Sequence, residues 1–212
     1  MDILGYIADN YEFILSKTME HFYLAGLAVL IACAIGVPTG FLIAKRKKLS
    51  KVVIGIANVV QTIPSLALFA FAIPLLGIGT SPALFALCLY ALLPIIKNTL
   101  IGIHNVDPAI IDAANGMGMS KFQILFKIEV PISIAVIMAG IRIATVTGIG
   151  IATIATLIGA GGLGDIIYAG ISMLNYEMII VGALVSALLA LLADFLLGLC
   201  EKKLTSKGIA LD

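Results

Sequence analysis

The chain has 212 residues, of which 61% are hydrophobic and 12% charged, with a mean hydropathy of +1.17 and a net charge of +1. These proportions lie far outside soluble averages and exclude a water-soluble globular protein. An all-α integral membrane protein is expected, a single transmembrane domain over residues 1–212 in contact with lipid and with no nucleic-acid partner.

Residues 1–20 carry Asp2, Asp9, Glu12 and Glu20 against Lys17, the wrong charge for the start of a signal peptide, so no cleavage is expected. Ile3, Ile7, Tyr11, Ile14 and Leu15 recur at helical spacing. The segment reads either as an amphipathic helix on the outer surface or as an extension of the first membrane helix.

Five apolar runs follow, at 22–44, 52–76, 83–103, 132–158 and 178–200. Each has roughly the 20 residues that cross a hydrocarbon core of about 30 Å. Lys45, Arg46, Lys47, Lys48 and Lys51 lie between the first two runs, Lys121 and Lys127 between the third and fourth, and Lys202, Lys203 and Lys207 after the fifth. The connections 77–82 and 159–177 contain no Lys or Arg. The positive-inside rule then sets the N-terminus outside, the C-terminus inside and the 107–131 segment in the cytoplasm.

Within the runs, Pro38, Pro64, Pro74 and Pro94 each remove a backbone donor and tend to kink a helix. Asn58, Gln61 and Thr62 precede Pro64 at a depth where polar groups are costly unless partnered or facing water, so these four residues mark helix contacts or a pathway. Run four holds Gly140, Ala144, Gly148, Ala152 and Thr156 at four-residue intervals, a small-residue stripe for close packing against a neighbour or a second subunit. Thr145, Thr147 and Thr153 add hydroxyls able to bond across helices. Arg142 and Asp194 are the charges well inside runs four and five, each roughly 10–16 Å from the cytoplasmic end at 1.5 Å per residue. They are expected to pair, because either alone would be costly in lipid.

Between runs three and four, Asp107-Pro108 is a helix cap followed by the residue best tolerated at the first helical position. That helix should run to about Asn115 and break at Gly116 and Gly118. Ser120 with Gln123 fits a capping box and opens a second helix, expected to end near Pro131 and to lie along the membrane surface. Ala113 and Ala114 would let another protein approach the backbone, Asp112 would offer an acceptor, and Met117 and Met119 would make adaptable apolar contacts.

Asp112-Ala113-Ala114, then Gly118, then Ile128-x-Val130-Pro131 resembles the EAA motif of ABC-importer permeases, with Asp for Glu and Val for Leu. The stretches NVVQTIPSLALFAF, YALLPIIKNTLIGI and IGAGGLGDIIYAGI are similar to the glycine betaine/carnitine/choline branch of those permeases, and the resemblance spans about residues 18–200. It implies a type I importer bundle of about five helices. The 107–131 loop would be gripped by a cytoplasmic ABC ATPase dimer, with Asp112, Ala113, Ala114, Met117, Gly118, Met119, Ile128 and Pro131 as the coupling residues. It also implies an extracytoplasmic binding protein, a second permease subunit, identical or not, and an osmoprotectant as solute. No GxxxxGK[ST] occurs, so ATP is expected on the partner, with no cofactor and no catalytic residue here.

Gly159 to Gly164 satisfies GxGxxG, but no strand precedes it and Glu177 and Asp194 fall at the wrong distances for dinucleotide binding, so a tight re-entry of the chain is expected instead. Cys33, Cys88 and Cys200, and the widely separated His21 and His104, show no metal-ligand spacing. Competing readings are a permease for another small solute such as an amino acid, an ion-coupled secondary transporter, and a membrane enzyme. The second lacks internal repeats, and the third lacks a catalytic cluster.

Overall fold

The computed structural model describes residues 3–205, and the elements in them are helices: α1 (Ile3–Asp9), α2 (Tyr11–Ala44), α3 (Lys47–Thr62), α4 (Ser65–Leu76), α5 (Thr80–His104), α6 (Pro108–Gly116), α7 (Lys121–Ile124), α8 (Val130–Ala152), α9 (Leu163–Met173) and α10 (Tyr176–Leu204). Lys207, one of the basic residues used for orientation, lies outside the described residues. Among the described residues four helical stretches are long and apolar enough to cross a membrane: Tyr11–Ala44, Thr80–His104, Lys121–Ile158 and Tyr176–Leu204. The α3–α4 pair makes a fifth if counted as one broken span.

Of the two readings of the N-terminal segment, the extension of the first membrane helix is realised in part. Residues from Tyr11 onward extend the first membrane helix to 34 residues, while Ile3–Asp9 folds separately. Ile3 and Tyr6 pack on a cluster of Ile14, Leu163, Ile166 and Val181. Run two is not one helix. The residue before a proline is pushed out of the helical region, and Ile63 accordingly sits at φ −72°, ψ 127°. The chain turns by 101° there before α4 begins at Ser65.

Pro131 does not end a helix, contrary to expectation. Helix α7 passes through a π turn at Leu125–Glu129 into α8, then through a 3₁₀ segment at Thr153–Ile158, as one stretch of 38 residues. In the π turn the Val130 amide reaches back to the Leu125 carbonyl. The widened coil sits where the Pro131 ring would otherwise press on the carbonyl of Lys127, four residues back. The second loop helix is therefore the root of a membrane span and not a surface segment.

Helix α5 is packed between α2 and α8, and α10 lies against α8 and α9. The small-residue stripe makes this possible within one chain. Gly140, Ala144, Gly148 and Ala152 are all buried. A Cβ on Gly140 would lie 2.6 Å from Asn98 Cβ and 2.7 Å from the Pro94 carbonyl oxygen, so α8 touches the backbone of α5 there. The threonine hydroxyls do not bond across helices: Thr145 and Thr147 donate to carbonyls one turn back, Ile141 and Ile143, and Thr153 donates to Gly150. A hydroxyl on a helix finds its own i−4 or i−3 carbonyl first.

Candidate functional site

The 107–131 loop is built by local chemistry. Asp107 Oδ1 accepts from the Ala109 amide at 2.8 Å and opens α6, with Pro108 in its first turn. Gly118 turns the chain with φ +78°, a conformation that side-chain-bearing residues rarely adopt. The capping box then closes: Ser120 Oγ accepts from the Gln123 amide at 3.3 Å, and Gln123 Oε1 accepts from the Ser120 amide at 2.8 Å. Of the eight residues assigned to coupling, Asp112, Ala113, Met117 and Gly118 share the exposed tip, and Met119 is half buried. Ala114 is fully buried, and Ile128 and Pro131 sit half buried at the root. Phe122 and Phe126, 4.5 Å apart between ring centres, are exposed beside the tip and were missed in the sequence. Their i, i+4 spacing was the available signal.

Two side chains tie this root to the rest of the bundle. Lys45 Nζ lies 3.0 Å from Glu129 Oε1, and Glu129, inside the π turn, is 4% exposed with its other oxygen unpartnered. His104, at the end of α5, donates through Nε2 to the Ala44 carbonyl at the end of α2. The ends of α2 and α5 and the start of α8 are thereby joined behind the loop.

Away from the loop, Gln61, Tyr90, Lys97, Asn98 and Thr147 line an open cleft of about 580 Å³ on the side of the bundle between α3, α5 and α8. Gln61 Nε2 donates to the Tyr90 carbonyl at 2.9 Å, and the Tyr90 hydroxyl donates to the Ile63 carbonyl. Thr62 Oγ1 caps the end of its own helix on the Val59 carbonyl, and exposed Asn58 does not line the cleft. The four residues around Pro64 therefore separate, with Gln61 the one that reaches α5.

Arg142 forks onto Asp194, Nε to Oδ1 at 2.8 Å and Nη2 to Oδ2 at 2.9 Å, and its Nη1 donates to Glu201 at 2.9 Å. Two carboxylates of α10 thus hold one guanidinium of α8, and the sequence reading had missed Glu201. At the opposite end, Lys17 lies 2.8 Å from both Glu20 and Asp165. Glu20 accepts from the Gly162 amide at 3.0 Å. Buried His21 donates through Nε2 to the Ile149 carbonyl and accepts at Nδ1 from the Leu163 amide. The glycine turn is thus engaged by α2, and the Gly162 amide that a phosphate would need is already occupied.

Residues 36–206 match the family of binding-protein-dependent transport system inner membrane components. The chain belongs to this family. It is a multi-pass membrane component of an ABC importer. It is 45% identical to the carnitine transport permease protein OpuCB of Listeria monocytogenes over 207 residues, covering 98% of this chain and 95% of that one. It is 42% identical, with the same coverage, to the glycine betaine/carnitine/choline transport system permease protein OpuCB of Bacillus subtilis. Against the osmoprotectant import permease protein OsmW of Salmonella typhimurium it is 44% identical over 99% of this chain and 100% of that one. A chain of the MetNI methionine ABC transporter in an inward-facing conformation superposes with a TM-score of 0.83 at 22% identity, covering 92% of this chain and 97% of that chain. That likeness shows the fold: the type I importer permease bundle.

The matched region of this permease runs from the last third of α2 through the end of α10, so it takes in the loop, the cleft and the Arg142 cluster together.

Proposed function

We propose that the chain is the membrane permease subunit of an importer for quaternary ammonium osmoprotectants of the glycine betaine, carnitine and choline kind. The observation that carries the solute class is near-full-length identity of 42–46% to permeases named for those solutes. The methionine transporter supports only the fold. The distribution of basic residues supports a cytoplasmic loop end and an outer glycine turn, where a binding protein would deliver solute.

The loop end has the form of a handle. Its tip offers Asp112, Ala113, Met117 and Gly118 to a separate ATPase, while Ala114 and the capping box hold the tip to its root. Because α7 continues unbroken into α8, a push on the tip is delivered to a helix that lines the cleft. ATP is hydrolysed on the partner; this subunit contributes positioning and a path, and two such subunits enclose it.

Expression with its ATPase and binding protein in proteoliposomes tests the reading. ATP-dependent uptake of a betaine-type solute, with the ATPase co-purifying on the tagged permease, is the expected result. Uptake that continues without any ATPase would point to a secondary carrier instead.

A further inference from the structure

Lys97 is exposed on the open cleft and has no counter-ion among the described residues. It lies seven residues before the end of α5 at His104, about 10 Å inside the helix at 1.5 Å per residue. Lys17 and Arg142, the other cations placed well within long helices, are each held by two carboxylates. Lys97 makes no ion pair among the described residues and no acidic residue lines its cleft. A charge inside a membrane protein that faces a cavity and lacks a partner marks a functional site.

We propose that the Lys97 ammonium receives the carboxylate of a zwitterionic solute as it passes through the cleft. The inference rests on the solute class proposed above. Glycine betaine and carnitine carry both a quaternary ammonium and a carboxylate, whereas choline carries a hydroxyl in place of the carboxylate. With no acid in the cleft, the solute's cationic end is repelled by Lys97 and its carboxylate is attracted, which fixes the direction in which the solute is oriented. Asn98, one residue on, spends one of its two amide hydrogens on the Pro94 carbonyl, which leaves the lysine as the cationic donor on this stretch of α5. The Gln61 amide likewise spends one N–H on the Tyr90 carbonyl.

The test compares Lys97→Met and Lys97→Arg with wild type, as the full complex with ATPase and binding protein in ATP-loaded proteoliposomes, using radiolabelled glycine betaine, carnitine and choline. Both variants should co-purify with the ATPase and melt as the wild type does. Lys97→Met should lower kcat/KM for the two zwitterions by roughly tenfold to a hundredfold, the range for a hydrogen bond to a charged group, and Lys97→Arg should recover most of it. Choline uptake, where wild type carries it, should hold or rise in Lys97→Met. Equal loss for all three solutes, unchanged zwitterion uptake in Lys97→Met, or a wild type that moves choline alone would each overturn the carboxylate site. A wild type that moves none of the three would overturn the solute class itself.

Discussion

The side-chain amide of Gln61 donates to the backbone carbonyl of Tyr90, and that carbonyl is free because Pro94, four residues on, has no N–H to give it. A proline in α5 thus creates the acceptor that a polar residue of α3 fills. The Tyr90 hydroxyl returns the contact by donating to Ile63, at the 101° break before Pro64. Two helix defects, one on each partner, satisfy each other, and the bend is held against α5 at the edge of the cleft.

Gln61→Leu should therefore destabilise the permease by about 0.6 kcal/mol, the average measured for hydrogen bonds between membrane helices, and by no more than about 1.7 kcal/mol, the largest. Pro94→Ala supplies the missing N–H and should recover part of that loss in the double variant, although alone it competes with Gln61 for the Tyr90 carbonyl. Thermal unfolding of the four proteins in detergent forms a double-mutant cycle. A cycle with no coupling energy would show that Gln61 does not serve the Pro94 defect.

Substitutions in the loop should divide by burial. Ala113 is exposed at the tip and Ala114 is fully buried beneath it. A bulky residue at 113 should leave the melting temperature alone and reduce co-purification of the ATPase. The same residue at 114 has no space to enter and should lower stability first, by the 1–3 kcal/mol typical of overpacking. Parallel measurements of unfolding and of ATPase recovery separate the two effects, and identical behaviour at both positions would remove the tip from the docking surface.

Much of this handle was legible in the sequence because its signals are local. Asp107-Pro108, Gly118 and the Ser120–Gln123 box each act within four residues, and all form as their spacing predicts. The apolar runs were legible for the same reason. The size of the bend at Pro64, the helix Leu163–Met173 inside a connection read as loop, and the passage of α7 through Pro131 depend on how distant segments pack. Lys97 was invisible as a site until α3 and α8 were seen to form a cleft around it. Glu201 joined the Arg142 pair because α10 continues as helix past residue 200, bringing a carboxylate two turns beyond Asp194 onto the same face.

That third member changes what neutralising Asp194 should do. With Glu201 still bonded to Arg142, Asp194→Asn leaves one carboxylate against one guanidinium and should be tolerated. Asp194→Asn with Glu201→Gln strands the arginine between α8 and α10 and should sharply reduce the yield of assembled complex. Adding Arg142→Gln to that pair should restore assembly, since all three groups are then neutral and able to hydrogen-bond. Fluorescence size-exclusion profiles of the three variants read the outcome; severe loss in Asp194→Asn alone would show that Glu201 cannot substitute.

The Lys45–Glu129 pair should fail asymmetrically. The lysine side chain is 59% exposed and the glutamate 6%. Removing the buried acid by Glu129→Gln leaves an exposed ammonium that water solvates, so the loss should be small. Removing the exposed base by Lys45→Met leaves a buried carboxylate with neither oxygen paired, because its second oxygen already lacks a partner. Breaking a buried pair in that direction costs about 3–5 kcal/mol. The double variant, with no stranded charge, should return close to Glu129→Gln alone. Melting temperatures rank the three. ATPase co-purification on the same samples then reports whether the joint behind the loop also sets the position of the tip: Lys45→Met should weaken both readings together, and a melting loss with undiminished ATPase recovery would make the pair a support for α8 only.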